Sequence, residues 1–333
     1  IVALAEHYRS SGADLIDLGC IPGESWSRAG EVTKQLVDRG FRVSIDSFDR
    51  DEVEAAVGAG AELVLSCNQS NIDWAAQLDA ELVAIPEAPF SLESLELTVQ
   101  KLTECGARFR IDPILEPIGF GFAASLGRYF EARKRWPDFD IMMGIGNLTE
   151  LTEVDSAGMN FLLAGICEEL GIRSVLTTEV INWARSSVRE FDLARRLTRH
   201  SVQNRALPKH VDSKLVALRD SKLREQGEAA LDTLAGQITD PNYRIFAERG
   251  NIHVMNRDGY WRGTDPFELF QRVRENAEKP LSEGHTFYLG YEVCKAATAL
   301  RLGKHYVQDE ELDWGFLSDD RESQASGRHS TEY

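Results

Sequence analysis

The chain has 333 residues and an excess of acidic over basic side chains, 54 against 37, which gives a formal net charge of −17. This charge argues against nucleic acid or an anionic membrane as the main partner, although it leaves room for a local basic pocket. No apolar run reaches the ~18 residues that a membrane-spanning helix needs, and no stretch has the pattern of a secretory signal peptide.

Short apolar runs rich in Val, Ile and Leu recur along the first 200 residues, each followed by a polar loop and a helical pattern. Apolar strands that alternate with amphipathic helices predict a parallel sheet covered by helices. The runs span residues 14–22, 42–48, 62–68, 81–87, 108–115, 140–147 and 173–180.

The regular repeat favours a closed barrel over an open doubly wound sheet. No early G-x-G-x-x-G follows the first strand, and polar residues end nearly every strand, as in a (β/α)8 TIM barrel. Only seven strands are counted, and the chain opens on a helix of the kind that normally follows the first strand. We therefore expect a barrel whose first strand is missing from a fragmentary sequence.

Polar side chains at the strand ends should meet at one mouth of such a barrel. Carboxylates beside amides suit a ligand with adjacent donors and acceptors, such as the 2-amino, N3–H and 4-oxo edge of a pterin. The alternative for each single residue is that it is polar only because strands end in solvent-exposed loops. The seven residues are Asp17, Asp46, Asn68, Glu87, Asp112, Asn147 and Glu179.

Several of these segments resemble the pterin-binding family. They are "GADLIDLG", "SIDSF", the Asn that ends the third run, and "DP" followed by "GFGF". The family includes dihydropteroate synthase and the methyltetrahydrofolate–corrinoid methyltransferases, all on (β/α)8 barrels. The resemblance implies that Asp46, Asn68 and Asp112 hold the pterin ring, with Asp112 on its amino–N3 edge. Gly119 and Gly121 match the glycine-rich segment of the family.

The loop after the sixth run departs from the synthases of this family. They carry Ser-Arg-Lys where this chain has residues 146–149, and their last strand ends in Arg-x-His where this chain has residues 177–180. The corrinoid methyltransferases have an Asn in the loop that corresponds to residues 146–149, where this chain has Asn147. The resemblance therefore implies that Asn147 lies over N5 of the pterin and acts with Asp112 in catalysis.

An anion site is predicted after the last strand. Arg185 and Ser186 lie near a helix start, where free N–H groups favour a phosphate or diphosphate, and Mg²⁺ would accompany a diphosphate substrate. The alternative is that Arg185 and Arg189 form only surface ion pairs. Glu150 and Asp155 either begin the preceding helix or support the pocket.

The cysteines and histidines carry no metal or disulfide pattern. The five cysteines are scattered without a CxxC spacing, which is typical of reduced thiols in a cytoplasmic protein. Cys20 and Cys67 lie near predicted strand ends, so a reactive or ligand role is the alternative. The seven histidines show neither HxH nor HExxH spacing, so neither a metal site nor a tightly bound cofactor is predicted.

The alternation of strand and helix patterns stops after about residue 205. We predict a barrel over residues 1–205, a helical linker over 206–240, a small α+β domain over 241–320 and a disordered tail over 321–333. The small domain should contain a two-stranded hairpin and a helix capped near Asp265 and Pro266. It resembles an uncharacterised domain appended to dihydropteroate-synthase-like barrels in organisms with methanopterin-type C1 carriers.

Three functions follow from these resemblances. The first is a transferase that joins a dihydropterin diphosphate to an arylamine in tetrahydromethanopterin- or folate-type carrier biosynthesis. The second is a methyltransferase that acts on an N5-methylated tetrahydropterin, with a corrinoid protein as acceptor. The third is a pterin-binding protein without chemistry. The family resemblance also implies a homodimer.

Overall fold

The computed structural model describes residues 1–21, 23–212, 214–215, 219–220 and 223–313. The chain divides into two compact units, Ile1–Val216 and Ala217–Tyr333. The segment predicted as a linker is therefore divided between the units. The predicted disordered tail, residues 321–333, lies outside the described residues. Among the residues described, no helix combines the length and apolar character that a membrane span requires.

In the residues that the structure describes, the first unit is built on seven parallel strands. Five of them pair in chain order to form one sheet, and β6 pairs with β7 in the same direction. A single parallel bridge between Ile111 and Ile141 connects the two sets. The strands are β1 (Ile16–Gly19), β2 (Val43–Asp46), β3 (Leu63–Cys67), β4 (Glu81–Ala84), β5 (Phe109–Ile111), β6 (Met142–Gly144) and β7 (Ser174–Leu176). The predicted alternation of parallel strands and helices is confirmed.

A small apolar cluster on the inner side of these strands shows that the sheet curves. It contains Leu63 and Leu65 of β3, Val83 of β4 and Met142 of β6, none more than 5% exposed. Leu176 of β7 packs against the same cluster. Side chains from strands as far apart as β3 and β7 share one interior when the sheet curls round on itself, as barrel strands do.

Helices cover the outer side of the strands. The start of α3 (Arg50–Gly58) shows why a helix begins there: Asp49 Oδ1 accepts the backbone N–H groups of Asp51 at 2.9 Å and Glu52 at 3.1 Å. The first and last long helices of the unit pack on each other. The helices are α1 (Val2–Ser11), α2 (Ala29–Val37), α3 (Arg50–Gly58), α4 (Ile72–Ala75), α5 (Leu92–Glu104), α6 (Phe122–Arg135), α7 (Gly146–Thr149), α8 (Ser156–Leu170) and α9 (Ser187–Asn204), with a 3₁₀ turn at Asn182–Ala184.

The second unit is a three-stranded antiparallel sheet with helices, not the predicted two-stranded hairpin. The strand order is β10, β9, β8, and Arg249 and Gly250, with φ of 49° and 75°, form the tight turn between β8 and β9. Leu231 of α10 is fully buried. The elements are α10 (Glu228–Gln237), β8 (Arg244–Glu248), β9 (Asn251–Asn256), β10 (Gly259–Gly263), α11 (Pro266–Asn276) and α12 (Glu283–Leu302).

The predicted cap of α11 is present and gives a testable stability effect. Asp265 Oδ1 accepts the N–H groups of Phe267 at 2.8 Å and Glu268 at 2.9 Å, and Pro266 occupies the first helical position. Asp265→Ala should lower the free energy of unfolding of the second unit by about 1 kcal/mol. Urea denaturation of the full chain measures this change, and Asp265→Ser, which keeps a capping oxygen, should lose less.

Candidate functional site

The carboxyl ends of the parallel strands form one edge of the first unit, and most of the predicted ligand-binding residues lie there. Asp17 lies within β1 and Asp46 ends β2, whereas Asn68 and Asp112 directly follow β3 and β5. Asn147 lies in the short helix α7, just after β6. We refer to this edge as the barrel mouth.

Asp17 and Asp46 form a pair of neighbouring carboxyl groups on adjacent strands. Ser44 Oγ, on β2, donates a hydrogen bond to Asp17 Oδ1 at 2.6 Å. Burial raises the pKa of Asp17, although the Ser44 hydrogen bond opposes this. Burial, and then the negative charge of Asp17, raise the pKa of Asp46 to about 7. At neutral pH the Asp46 carboxyl is therefore poised between its protonated and ionised forms, able to donate or accept a proton.

Asp112 is the most buried of the predicted ligand-binding residues, at 6% exposure. Its Oδ1 accepts hydrogen bonds from the hydroxyl of Tyr129 at 2.5 Å and from the backbone N–H of Ile114 at 2.8 Å. Burial raises the pKa of Asp112 to about 6, against the lowering effect of these hydrogen bonds. Its Oδ2 lies 3.8 Å from the position that a Cβ at Gly144 would occupy. A buried carboxylate of this kind gains from any further N–H donor that reaches it.

Arg128 of α6 fixes the loop that follows Asp112. Its guanidinium donates to the carbonyl of Pro113 at 3.1 Å and of Ile114 at 2.8 Å, and pairs with Glu116 at 2.7 Å. Ile114 has a φ of 66°, a left-handed conformation that is costly for a β-branched residue. The Arg128 contacts hold this strained residue next to Asp112 and so define the wall of the mouth.

This contact network predicts a measurable loss in the variant Arg128→Met. The methionine keeps the apolar stem but leaves two carbonyls and Glu116 without their charged donor, so we expect the free energy of unfolding to fall by about 2 kcal/mol. Urea denaturation tests this. Arg135→Met is the matched control, because Arg135 and its partner Glu96 are 37% and 56% exposed and such surface pairs contribute little. An equal loss in both variants would contradict the assignment.

The segment that resembles the family's glycine-rich motif needs its glycines. Gly119 and Gly121 have φ of 90° and 118°, and a Cβ at Gly121 would lie 3.0 Å from Glu116 Oε2. Phe120, between them, is 78% exposed. The segment leads into α6, whose residues hold Asp112 and its loop.

Asn147 is exposed at the mouth, and its side-chain amide contacts the loop after β5. Its Nδ2 donates to the carbonyl of Leu115 at 2.8 Å. This bond ties the loop after β6 to the loop after β5, and the other polar atom of the amide, Oδ1, is an acceptor. Nearby, the hydroxyl of Thr178 donates to Glu150 Oε1, which links the loops after β6 and β7.

Asn68 uses part of its side chain to shape its own turn. Its Oδ1 accepts from the N–H of Ser70 at 2.9 Å and from the Ser70 hydroxyl at 2.6 Å. Its backbone N–H donates to Asn71 Oδ1 at 2.9 Å. A ligand in the mouth could therefore reach the Asn68 side chain through its NH₂ group, which is a donor only.

One of the predicted strand-end residues, Glu179, turns away from the others. Glu87 lies beyond the end of β4 and is exposed. Glu179 instead faces the outer helices, where it pairs with His7 Nε2 at 2.8 Å and accepts the N–H of Val188 at 3.1 Å. The strand-end rule fails here because the residue after the strand turns toward α1 and α9 and not toward the interior.

The start of α9 suits the predicted anion less well than the sequence suggests. Ser186 Oγ donates to Glu190 Oε1 at 2.6 Å, and Glu179 already accepts the N–H of Val188 in the first turn. Two carboxylates therefore occupy the positive end of this helix and would repel a phosphate. The anion site at Arg185 and Ser186 remains a prediction.

Three side chains near the carboxyl ends of the strands have roles that were not predicted or were left open: Glu52, Cys20 and Cys67. Glu52 of α3 is buried and accepts the N–H of Trp26 at 2.6 Å and the hydroxyl of Ser47 at 2.5 Å. Burial raises the pKa of both Cys20 and Cys67 to about 12, so neither thiol forms the reactive thiolate at neutral pH.

Within the described part of the chain, no three His, Cys, Asp or Glu side chains are grouped so that they could hold a metal ion.

Comparisons with known proteins support the pterin-binding resemblance. Residues 231–309 match the family model described as PterinBD-DUF4346. An uncharacterised protein of Methanocaldococcus jannaschii, MJ0107, is 29% identical over 348 residues, covering 92% of this chain. This chain spans only 65% of the length of that curated relative.

Solved structures of dihydropteroate synthases are also similar in part. The enzyme of Yersinia pestis aligns with a TM-score of 0.46 and 18% identity, over 61% of this chain and 88% of its own. The Thermus thermophilus enzyme in complex with 4-aminobenzoate aligns with a TM-score of 0.46 and 17% identity, over 60% and 88%. The family-model match, which lies within the second unit, bears out the predicted resemblance to pterin-binding proteins.

Proposed function

We propose that the barrel mouth binds a reduced pterin and that the protein is a dihydropteroate synthase-like transferase. One observation carries the proposal: Asp112 is a buried carboxylate, held by Tyr129 and Ile114 at a strand end, with a raised pKa. The 2-amino and N3–H groups of a pterin are adjacent donors, and a buried carboxylate is the acceptor that suits them.

Asp17 and Asp46 would meet another part of the ring. A carboxyl with a pKa near 7, such as that of Asp46, donates when protonated and accepts when ionised, which suits a ring that presents both donors and acceptors. Asn68 would add its NH₂ group to the ring contacts, and Asn147 would place its carbonyl oxygen over N5. Together with Asp112, Asn147 is our candidate for a catalytic residue.

The proposed reaction joins a dihydropterin diphosphate to an arylamine. The amine nitrogen attacks the exocyclic carbon, a C–N bond forms, the C–O bond to the diphosphate breaks, and the amine loses a proton. Asp46, a third candidate catalytic residue, is suited to accept that proton because its pKa lies near neutrality. A diphosphate substrate would bring Mg²⁺ with it. Methanopterin- or folate-type carrier biosynthesis would be the setting for this reaction.

A second candidate is methyl transfer from an N5-methylated tetrahydropterin to a corrinoid protein. The position of Asn147 favours it, because an exposed amide at the loop after β6 can hydrogen-bond at N5 without adding charge. Binding without chemistry is the third alternative. All three share the pterin site.

The test measures pyrophosphate release from 6-hydroxymethyl-7,8-dihydropterin diphosphate with a panel of arylamines. Arylamine-dependent release that is lost in Asp112→Asn supports the synthase. Methyl transfer from N5-methyltetrahydropterin to free cob(I)alamin, without pyrophosphate release, would show that the protein is a methyltransferase and not a synthase. Neither activity, with tight pterin binding, would leave the non-catalytic alternative.

A further inference from the structure

The second unit contains a cavity of about 430 Å³ beside the start of β8 and the start of α12. Three aromatic rings line it, those of Tyr243, His285 and Tyr288. The His285 ring meets Tyr243 at a centroid distance of 6.0 Å and Tyr288 at 6.2 Å, both edge to face. Cavities of a few hundred Å³ with aromatic walls are typical of small-ligand sites.

The walls of this cavity are held in place by hydrogen bonds. The hydroxyl of Tyr288 donates to Asp309 Oδ1 at 2.7 Å and accepts from Gln308 Nε2 at 2.7 Å. Gln308 also donates to the carbonyl of Tyr243 at 3.0 Å and accepts the N–H of Ile245 at 2.8 Å. One amide thus links α12 to β8, so a ligand would not have to order the walls itself.

A buried ion pair fixes the segment that carries Asp309. Lys295 Nζ pairs with Glu292 at 2.7 Å and donates to the carbonyl of Glu310 at 2.7 Å, while the hydroxyl of Tyr306 donates to Glu292 at 2.6 Å. Asp309, next to Glu310, has a φ of 67°, a left-handed conformation that Asp adopts more readily than most residues other than glycine.

The polar groups of the cavity define the ligand that would fit. Arg244 makes a bidentate pair with Asp240, at 2.7 Å for both bonds, so it is already neutralised and does not favour a phosphate. Asp309 and Asn242 also line the cavity, and both are exposed to solvent. A lining that combines a carboxylate acceptor, an amide donor and three aromatic rings matches a planar ring with N–H donors next to a carbonyl.

We propose that this cavity binds a planar heteroaromatic ring that carries an amino group, a ring N–H and a carbonyl along one edge. Pterin and guanine both present this edge. Asp309 accepts the two N–H groups, Asn242 donates to the carbonyl, and the aromatic walls cover the ring. The site is separate from the barrel mouth and does not depend on the function proposed for the mouth.

The experiment is calorimetric titration of the full chain carrying Asp112→Asn, which should weaken the proposed barrel site roughly 100-fold. The probes are 7,8-dihydropterin, guanosine and, as a ring without the required edge, adenosine. We expect binding of dihydropterin, guanosine or both, and no binding of adenosine. The preferred probe identifies which ring the cavity takes.

Adding Asp309→Asn to this chain should weaken binding at least about tenfold, because the amide presents a donor to the ring's donors. Glu275→Gln removes one negative charge from the exposed side of α11, outside the cavity, and should leave affinity unchanged. No binding of either ring, equal binding of adenosine, or undiminished affinity in Asp309→Asn would overturn the proposal. These results leave the barrel site untouched, since that site is tested in the chain with Asp112 intact.

Discussion

Asp112→Asn is expected to weaken binding of a reduced pterin at the barrel mouth by roughly 100-fold. The ionised carboxylate accepts two N–H groups of the ring, and each such charge-assisted hydrogen bond contributes about 1.5–3 kcal/mol. Asparagine keeps the size of the side chain but turns an NH₂ group toward one of its partners. Calorimetric titration with 7,8-dihydropterin measures the loss, in chains that carry Asp309→Asn so that the second unit does not contribute.

Asparagine is preferred to alanine because Asp112 also has a structural partner. The buried hydroxyl of Tyr129 donates to Asp112 Oδ1, and Asp112→Ala would leave that hydroxyl without an acceptor at a cost of about 1–3 kcal/mol in stability. Tyr129→Phe is the matched control, because it removes the same hydrogen bond and keeps the carboxylate. If Tyr129→Phe lost as much affinity as Asp112→Asn, the orientation of the Asp112 side chain, and not the charge of its carboxylate, would govern pterin binding.

The pKa of Asp112 gives this prediction a pH dependence. Because that pKa lies near 6, the carboxyl gains a proton as pH falls from 7 to 5 and then offers the ring one acceptor fewer. Pterin affinity should therefore fall over this range in the parent chain. In Asp112→Asn the fall should be smaller, because of the two carboxyls only Asp46, with a pKa near 7, then titrates against the ring. An identical fall in both chains would contradict the role of Asp112.

Asp46→Asn is expected to stabilise the first unit above pH 7. Burial and the charge of Asp17 raise the pKa of Asp46 from 3.8 to about 7, so the folded state holds its proton more tightly than the unfolded state does. Stability is therefore lost as pH rises from about 4 to about 7, and the full loss is present above that range. At ~1.4 kcal/mol per pKa unit, this loss is at most about 4 kcal/mol, and asparagine removes it.

Urea denaturation at pH 5 and pH 8 measures this effect. The variant should gain stability over the parent chain at pH 8 and much less at pH 5, while losing affinity for the pterin. Asp79→Asn is the control, because the Asp79 side chain is fully exposed and its replacement should change neither value. A variant that is less stable than the parent at pH 8 would show that the charged form of Asp46 is favoured by its surroundings.

One rule predicted that three carboxylates lie at or near strand ends. Parallel strands place their carboxyl ends at one edge, and the structure has Asp17 within β1, Asp46 at the end of β2 and Asp112 directly after β5. Glu179 obeyed the same pattern and yet faces α1 and α9. The pattern does not say which way a side chain turns once the strand has ended.

Partners from distant elements could not be predicted in the same way. Tyr129 and Arg128 lie in α6, where the helical pattern makes Tyr129 an ordinary core residue and Arg128 an ordinary surface residue. Their bonds to Asp112 and to the carbonyls after it depend on how α6 packs beside β5, which periodicity does not encode. The third strand of the second unit was missed because β10, "GYWRG", is short and bounded by glycines.

The most direct test of the barrel site is a crystal structure of the full chain with a bound reduced pterin. We predict that the amino–N3 edge of the ring lies within hydrogen-bond distance of Asp112, with Asp46 and Asn68 against the same ring. Density for the ring away from the carboxyl end of β5, or only in the cavity of the second unit, would contradict the account.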